Sequence, residues 1–207
     1  MTGGEHSLDG AYALETPEDS VKLYRGWAET YDTGFAESHG YVVPKKLAAI
    51  FHAEGGQGPV LDIGAGTGLV AEALGEIELD GIDISQEMLD VAGSKGLYRK
   101  RICADLTQPL DIADASYAGF TSAGTFTHGH VGPVCLPELL RIAQPNALFA
   151  LTINVRVFDQ AGFGSAFAAL IAERLITPVD FRQVAYYENA THEHADDTGL
   201  VAVFRRR

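Results

Sequence analysis

Residues Pro59 to Leu69, PVLDIGAGTGL, place an aspartate and three alternating glycines directly behind a short apolar run. Val60, Leu61 and Ile63 suit a buried strand bounded by Gly58-Pro59, and Leu69, Val70, Ala71, Ala73 and Leu74 suit the helix that follows. Gly64, Gly66 and Gly68 mark the turn between them. Without a Cβ, glycine can take positive φ and lets a ligand come close to backbone N–H groups at the start of a helix. The stretch reads as a cofactor loop.

Asp62 separates two kinds of ligand. A carboxylate at the strand end would stand close to a dinucleotide pyrophosphate, and two like charges about 4 Å apart repel by about 4 kcal/mol at an effective dielectric of about 20. The third glycine of the dinucleotide fingerprint G-x-G-x-x-G would fall at position 69, which is Leu69. S-adenosylmethionine instead carries an ammonium and a sulfonium against one carboxylate, so an acid near its amino-acid end is favourable.

Further acids close the next two strands. Residues 77–84, IELDGIDI, read as a second strand ending at Asp83, whose carboxylate suits both hydroxyls of an adenosine ribose. Ser85 then caps a helix carrying Glu87, Met88 and Leu89. A third strand, residues 101–104, ends at Asp105, a candidate partner for the adenine amino group, with Leu106 and Met88 placed to sandwich the ring. Ile84 and Ser122, at the ends of the second and fourth strands, complete the candidate cofactor-binding set. Asp and Gly at strand ends are also ordinary turn residues, and Met88 also fits a core position.

VLDIGAGTGL, LDGIDISQEML, ICADLTQPL and SAGTFTHGHVGP together resemble the class I S-adenosylmethionine-dependent methyltransferases, in particular the Williams-Beuren syndrome region methyltransferase-like proteins, and the upstream segment WAETYDTGFAESHGYVVPKKLA extends the resemblance to most of residues 24–154. It implies that Asp62, Gly64 and Gly66 hold the methionine part, Asp83 the ribose, and Asp105 with Leu106 the adenine, while Trp27 and Tyr31 close over the methionine end. It also implies a doubly wound α/β fold: a mostly parallel, seven-stranded, Rossmann-like sheet with helices on both faces, an N-terminal helical lid and one antiparallel closing strand. Two positions depart from the family pattern. Ala118 stands where aspartate is usual, and Pro145-Asn146-Ala147 replaces Pro-Gly-Gly before the fifth strand. The match fades beyond Asn154 and names no methyl acceptor.

Composition agrees with one domain, since 207 residues with 46% apolar and 21% charged content can bury a sizeable core. Residues 1–16 are expected to be a flexible lead-in and 17–207 a single domain, with helices and lid over 17–56 and the Rossmann-like core over 57–207. Apolar runs fall short of the roughly 20 residues needed to cross a bilayer, and the polar start lacks a secretory core, so the chain is expected in the cytoplasm without a membrane partner. Cys103 and Cys135 show no paired spacing and are expected to be buried thiols. A formal charge of -13 argues against nucleic acid, whose binding draws on lysine and arginine. A small-molecule acceptor is the leading expectation. A protein acceptor, a non-catalytic scaffold that binds the cofactor and an NAD-linked oxidoreductase are the alternatives, and oligomeric state is left open.

Thr16-Pro17-Glu18-Asp19 offers a cap, a first-turn proline and acids, opening a helix with Val21, Tyr24, Trp27, Ala28 and Tyr31 on one face. That face suits a lid, and its spacing equally suits simple packing. Pro44 opens another helix, with Leu47, Ile50 and Phe51 inward, ended by Gly55-Gly56. Strands at 117–122 and 147–153 flank a helix starting near Pro137; a helix over 160–175 and strands over 181–187 and 200–204 finish the chain. Alternation of strand and helix points to a parallel sheet with its ligand at the strands' carboxyl ends.

The loop Gly124 to Pro133, GTFTHGHVGP, leaves that same sheet edge, which makes His128 and His130 the catalytic candidates. Histidine can take a proton near neutral pH or orient an acceptor group; either ring can also simply hold the loop together. No metal site is expected, because His128-x-His130 and His192-x-His194 lack a third ligand, and His192-Glu193-His194 beside Asp196-Asp197 reads as a polar hairpin loop.

Overall fold

The computed structural model describes residues 25–127 and 130–207. The expected lead-in, the cap at Thr16-Pro17, Val21, Tyr24 and His128 lie outside the described residues. Strand β1 (Val60–Ile63) is buried at every position, as its apolar run requires. It is followed by α2 (Leu69–Leu74), while α1 (Val43–Ala53) precedes it with Pro44 in its first turn. Next come β2 (Leu79–Asp83), α3 (Gln86–Ser94) and β3 (Arg101–Cys103). The second half runs through β4 (Tyr117–Phe126), α4 (Leu136–Ile142), β5 (Ala143–Asn154), α5 (Val155–Phe158), α6 (Phe163–Ala172), β6 (Asp180–Ala185) and β7 (Thr198–Arg205).

The seven strands form one sheet in the order β3-β2-β1-β4-β5-β7-β6. Neighbours are parallel from β3 to β5, and β7 runs antiparallel to both β5 and β6. Successive side chains of β1 point to opposite faces. Leu61 and Ile63 join a cluster with Leu136 and Leu139 of α4 and Phe163 and Phe167 of α6. Val60 joins another with Leu47 and Phe51 of α1 and Val70 and Leu74 of α2. On the first face Phe120, Phe149 and Phe204 stack across β4, β5 and β7 with ring centroids 4.2 and 4.7 Å apart. On β2 the buried Asp80 accepts from Arg99 Nε at 2.9 Å and the Tyr117 hydroxyl at 2.9 Å.

Several boundaries differ from the sequence expectation. The upstream helix stops at Trp27, and after a turn at 28–30 the chain winds as a π-helix over Tyr31–Glu37, so Trp27 and Tyr31 do not share one helical face. The helix expected over 160–175 is shorter, because Gly162, with a φ of 83°, caps it and α6 starts behind it at Phe163. Asn146 fills the place of the usual glycine with a left-handed φ of 66°, a region asparagine tolerates better than most residues. Cys135 is buried, but Cys103, on the outermost strand β3, is exposed. The hairpin loop between β6 and β7 carries His194, whose Nδ1 lies 3.3 Å from Asp197. Among the described residues no group of three His, Cys, Asp or Glu is arranged to hold a metal ion, and no helix is long and apolar enough to cross a membrane.

Candidate functional site

The strand order turns back between β1 and β4, which is where ligands enter open parallel sheets. A cleft of about 1400 Å³, its open mouth included, lies there along the carboxyl ends of β1 to β5.

The glycine turn forms the floor. Gly64, Gly66 and Gly68 all have positive φ, at 64°, 52° and 93°. A Cβ on Gly64 would overlap the Thr125 hydroxyl, whereas one on Gly66 would meet no atom and would project into open space. The turn does not hold out its N–H groups in the way the sequence suggests. Those of Gly64 and Ala65 donate to the Ile82 carbonyl at 2.9 and 3.0 Å, and that of Gly66 donates to Asp83 Oδ2 at 2.8 Å.

Asp83 therefore joins β2 to the turn, and its Oδ1 accepts from the Ser85 N–H at 2.9 Å. Burial pushes its carboxyl above the ordinary value, and the N–H groups of Ser85 and Gly66 act against that rise. Asp105 borders the cleft beyond β3, with Oδ1 accepting both the N–H and the hydroxyl of Thr107 at 2.8 Å. Ile84, Met88 and Leu106 border the same end, so the acids and apolar side chains expected around a nucleoside are together.

Asp62 is fully buried and stands behind the turn rather than on the cleft wall. It accepts from the Tyr98 hydroxyl at 2.6 Å and the Thr121 hydroxyl at 3.0 Å. Burial raises its carboxyl from 3.8 to about 7, outweighing those two hydrogen bonds, and Asp83 adds to the rise. Burial and the neighbouring Asp62 in turn push the Tyr98 hydroxyl well above its usual range. Gly68 and Ser122 also lie off the wall. Leu97 and Tyr98 pack against Gly68, and the Ser122 hydroxyl donates to the Ile63 carbonyl at 2.9 Å, pinning β4 to β1 below the turn.

The π-helix roofs the cleft. Tyr31 and Phe35 line it, with ring centroids 5.1 Å apart, while Trp27 stacks on Phe35 from behind at 5.8 Å and is buried away from the cleft. Asp32 latches this segment down: Oδ1 accepts from the Thr67 hydroxyl of the glycine turn and Oδ2 from Lys95 Nζ, both at 2.5 Å. Lys95 also reaches Glu72 of α2 at 2.6 Å.

Beyond β4 and β5 the wall changes character. Thr125, Thr127 and His130 come from the β4 end and Asn154 from the β5 end, and Tyr41, Tyr186 and Tyr187 close that side. Sequence reasoning singled out His130 here and missed Phe35, Asn154 and the tyrosines. The adjacent Tyr186-Tyr187 pair at the end of β6 was the available signal.

Residues 61–151 match the family model described as a methyltransferase domain. The human protein named Methyltransferase-like protein 27 is 30% identical over 69% of this chain, which spans 60% of that protein's length. Among solved structures the fold is similar to the [4+2]-cyclase SpnF, with a TM-score of 0.66 and 15% identity, covering 93% of this chain and 97% of that one. It is also similar to a SAM-dependent methyltransferase from Aquifex aeolicus, with a TM-score of 0.60 and 19% identity over 87% and 97% of the two chains. The third is the 1,6-didemethyltoxoflavin-N1-methyltransferase of Burkholderia thailandensis, with bound 1,6-didemethyltoxoflavin and S-adenosylhomocysteine, at a TM-score of 0.59 and 18% identity over 93% and 91%. At such identities the structural likeness speaks for the fold. With the matched domain and the strand order in agreement, this chain carries a methyltransferase domain over residues 61–151, built on the class I S-adenosylmethionine-dependent methyltransferase fold.

Proposed function

We propose that the cleft binds S-adenosylmethionine and that the chain transfers its methyl group to a small molecule. The observation that carries this reading is the state of the glycine turn. The N–H groups of Gly64, Ala65 and Gly66 are already engaged, and two acids, Asp62 behind and Asp83 beside it, adjoin the turn. Such a place has little to offer a pyrophosphate and favours a cation. The open space over Gly66 suits a ligand lying directly on the backbone.

Asp83 would take the ribose hydroxyls, Asp105 with Leu106 and Met88 the adenine, and the turn over Asp62 the methionine end; Tyr31 would cover the ligand and shed water, with Trp27 backing it through Phe35. Ile84 flanks the nucleoside, and Gly68 and Ser122 hold the turn in shape. When bound, the cofactor supplies a sulfonium methyl carbon that an acceptor lone pair attacks in line, the C–S electron pair going to sulfur. The chain's contribution at that carbon is alignment, which alone can supply several kcal/mol. His130, and His128 as the second candidate, would take the proton where the acceptor nucleophile carries one. On this reading a single domain spans 17–207, with N-terminal helices and lid over 17–56 and the Rossmann-like core over 57–207.

The likeness to a [4+2]-cyclase means that this fold does not by itself specify the reaction. Incubation with methyl-labelled S-adenosylmethionine and a size-fractionated cell extract tests the reading. Label is expected in the small-molecule fraction, and His130→Ala should reduce that transfer about 100-fold at pH 7. Label confined to protein would replace the small-molecule acceptor with a protein one, and cofactor binding without transfer would favour a scaffold.

A further inference from the structure

The cleft is uneven in charge. Its carboxylates, Asp83 and Asp105, stand at the ends of β2 and β3, whereas the part beyond β4, β5 and β6 has no Asp, Glu, Lys or Arg among its described lining residues. Aromatic rings wall that part. Tyr41 lies at their centre, its ring centroid 6.0 Å from Phe35, 5.9 Å from Tyr187 and 6.4 Å from Tyr186.

One polar side chain on this wall is almost wholly buried. Asn154 is 2% exposed, and its Oδ1 accepts the Arg156 N–H at 2.9 Å. That bond fixes which end of the amide is oxygen and so sets the direction of Nδ2. No acceptor among the described residues takes the Nδ2 hydrogens. Asn154 pairs across the ladder with Gly199, where any Cβ would run into the Tyr186 ring. The missing side chain at 199 is therefore what seats Tyr186 beside Asn154.

The geometry points to an acceptor subsite between these rings and Asn154, built for a neutral, planar aromatic or heteroaromatic molecule that presents a hydrogen-bond acceptor to Asn154 Nδ2. This rests on the methyl-transfer reading above and adds the class of acceptor to it. A charged molecule would be desolvated here with no opposite charge to meet it. Flat rings match the stacked and edge-on walls that tyrosine and phenylalanine provide. A buried amide with unused N–H groups favours a ligand carrying a carbonyl or ring nitrogen and discriminates against one without.

The test uses the full chain saturated with S-adenosylhomocysteine and ligand-observed NMR titrations of quinolin-4-one, isoquinoline and coumarin against quinoline-2-carboxylate and cyclohexylamine. At least one of the three neutral planar compounds is expected to bind at least tenfold more tightly than both charged ones. Asn154→Ala should weaken that compound at least tenfold. Asn154→Asp should do the same while keeping the S-adenosylhomocysteine affinity, because its carboxylate can still accept the Arg156 N–H. Equal or tighter binding of the charged compounds, no binding by any neutral one, or undiminished binding in Asn154→Asp would overturn the assignment. If S-adenosylhomocysteine itself fails to bind, the methyl-transfer reading falls and the acceptor subsite falls with it.

Discussion

Asp62 and Tyr98 share a buried hydrogen bond of 2.6 Å, and the state of that carboxyl depends on its burial. Folding raises it from 3.8 to about 7. A carboxyl held above its unfolded value binds its proton more tightly in the folded chain. The stability it contributes is therefore complete below about pH 4 and is lost as the pH rises through about 7. A shift of this size corresponds to a few kcal/mol, at about 1.36 kcal/mol per unit. Asp62→Asn mimics the protonated form, so it should melt at a higher temperature than the parent at pH 8, the gap closing toward pH 5. Thermal melts across that range check this, and a gap independent of pH would place the raised carboxyl elsewhere. The sequence made Asp62 visible as a strand-end acid, but not its isolation from the cleft. Tyr98 reaches it from a loop beyond α3, and no motif ties the two positions together.

Among the elements, the π-helix over Tyr31–Glu37 departs from α-helical winding next to the cleft and is tied to the glycine turn through Asp32. Asp32 bridges Thr67 and Lys95, and its side chain and that of Lys95 are 28% and 21% exposed. A partly exposed pair of this kind is worth about 1 kcal/mol, or roughly fivefold in a rate. Asp32→Ala should therefore speed S-adenosylhomocysteine release about fivefold in stopped-flow measurements, and an unchanged release rate would remove the closing role of the segment. Apolar spacing announced a helix here and missed where it stops. Spacing records which side chains face inward but not the turn at 28–30, and Phe35, outside the expected run, is the ring that joins Trp27 to Tyr31. The start of α6 was placed too early for a related reason, since apolar spacing does not register the left-handed cap at Gly162.

Across the whole molecule, the nucleoside half was readable because it is local: each short strand ends within a few residues of the acid or glycine that borders the cleft, from Asp62 and Gly64 to Asp83 and Asp105. The acceptor half was not, because Tyr41, His130, Asn154 and Tyr186 come from four separated segments that only the assembled sheet, from β4 to β6, brings together. That one closing strand runs antiparallel was implied by family resemblance; that it is β7, and the register that sets Asn154 against Gly199, came only with the structure. What unites the two halves is a cleft suited to a cationic adenosine ligand. Calorimetric titration of the purified chain with S-adenosylhomocysteine, S-adenosylmethionine and NAD, repeated on Asp83→Asn, tests that claim most directly. Both adenosyl ligands should bind with micromolar or tighter affinity, NAD should give no measurable heat, and the variant should lose about tenfold or more, as removal of charge-assisted hydrogen bonds implies. NAD binding as tightly as the adenosyl ligands, or no heat from either of them, would contradict the account.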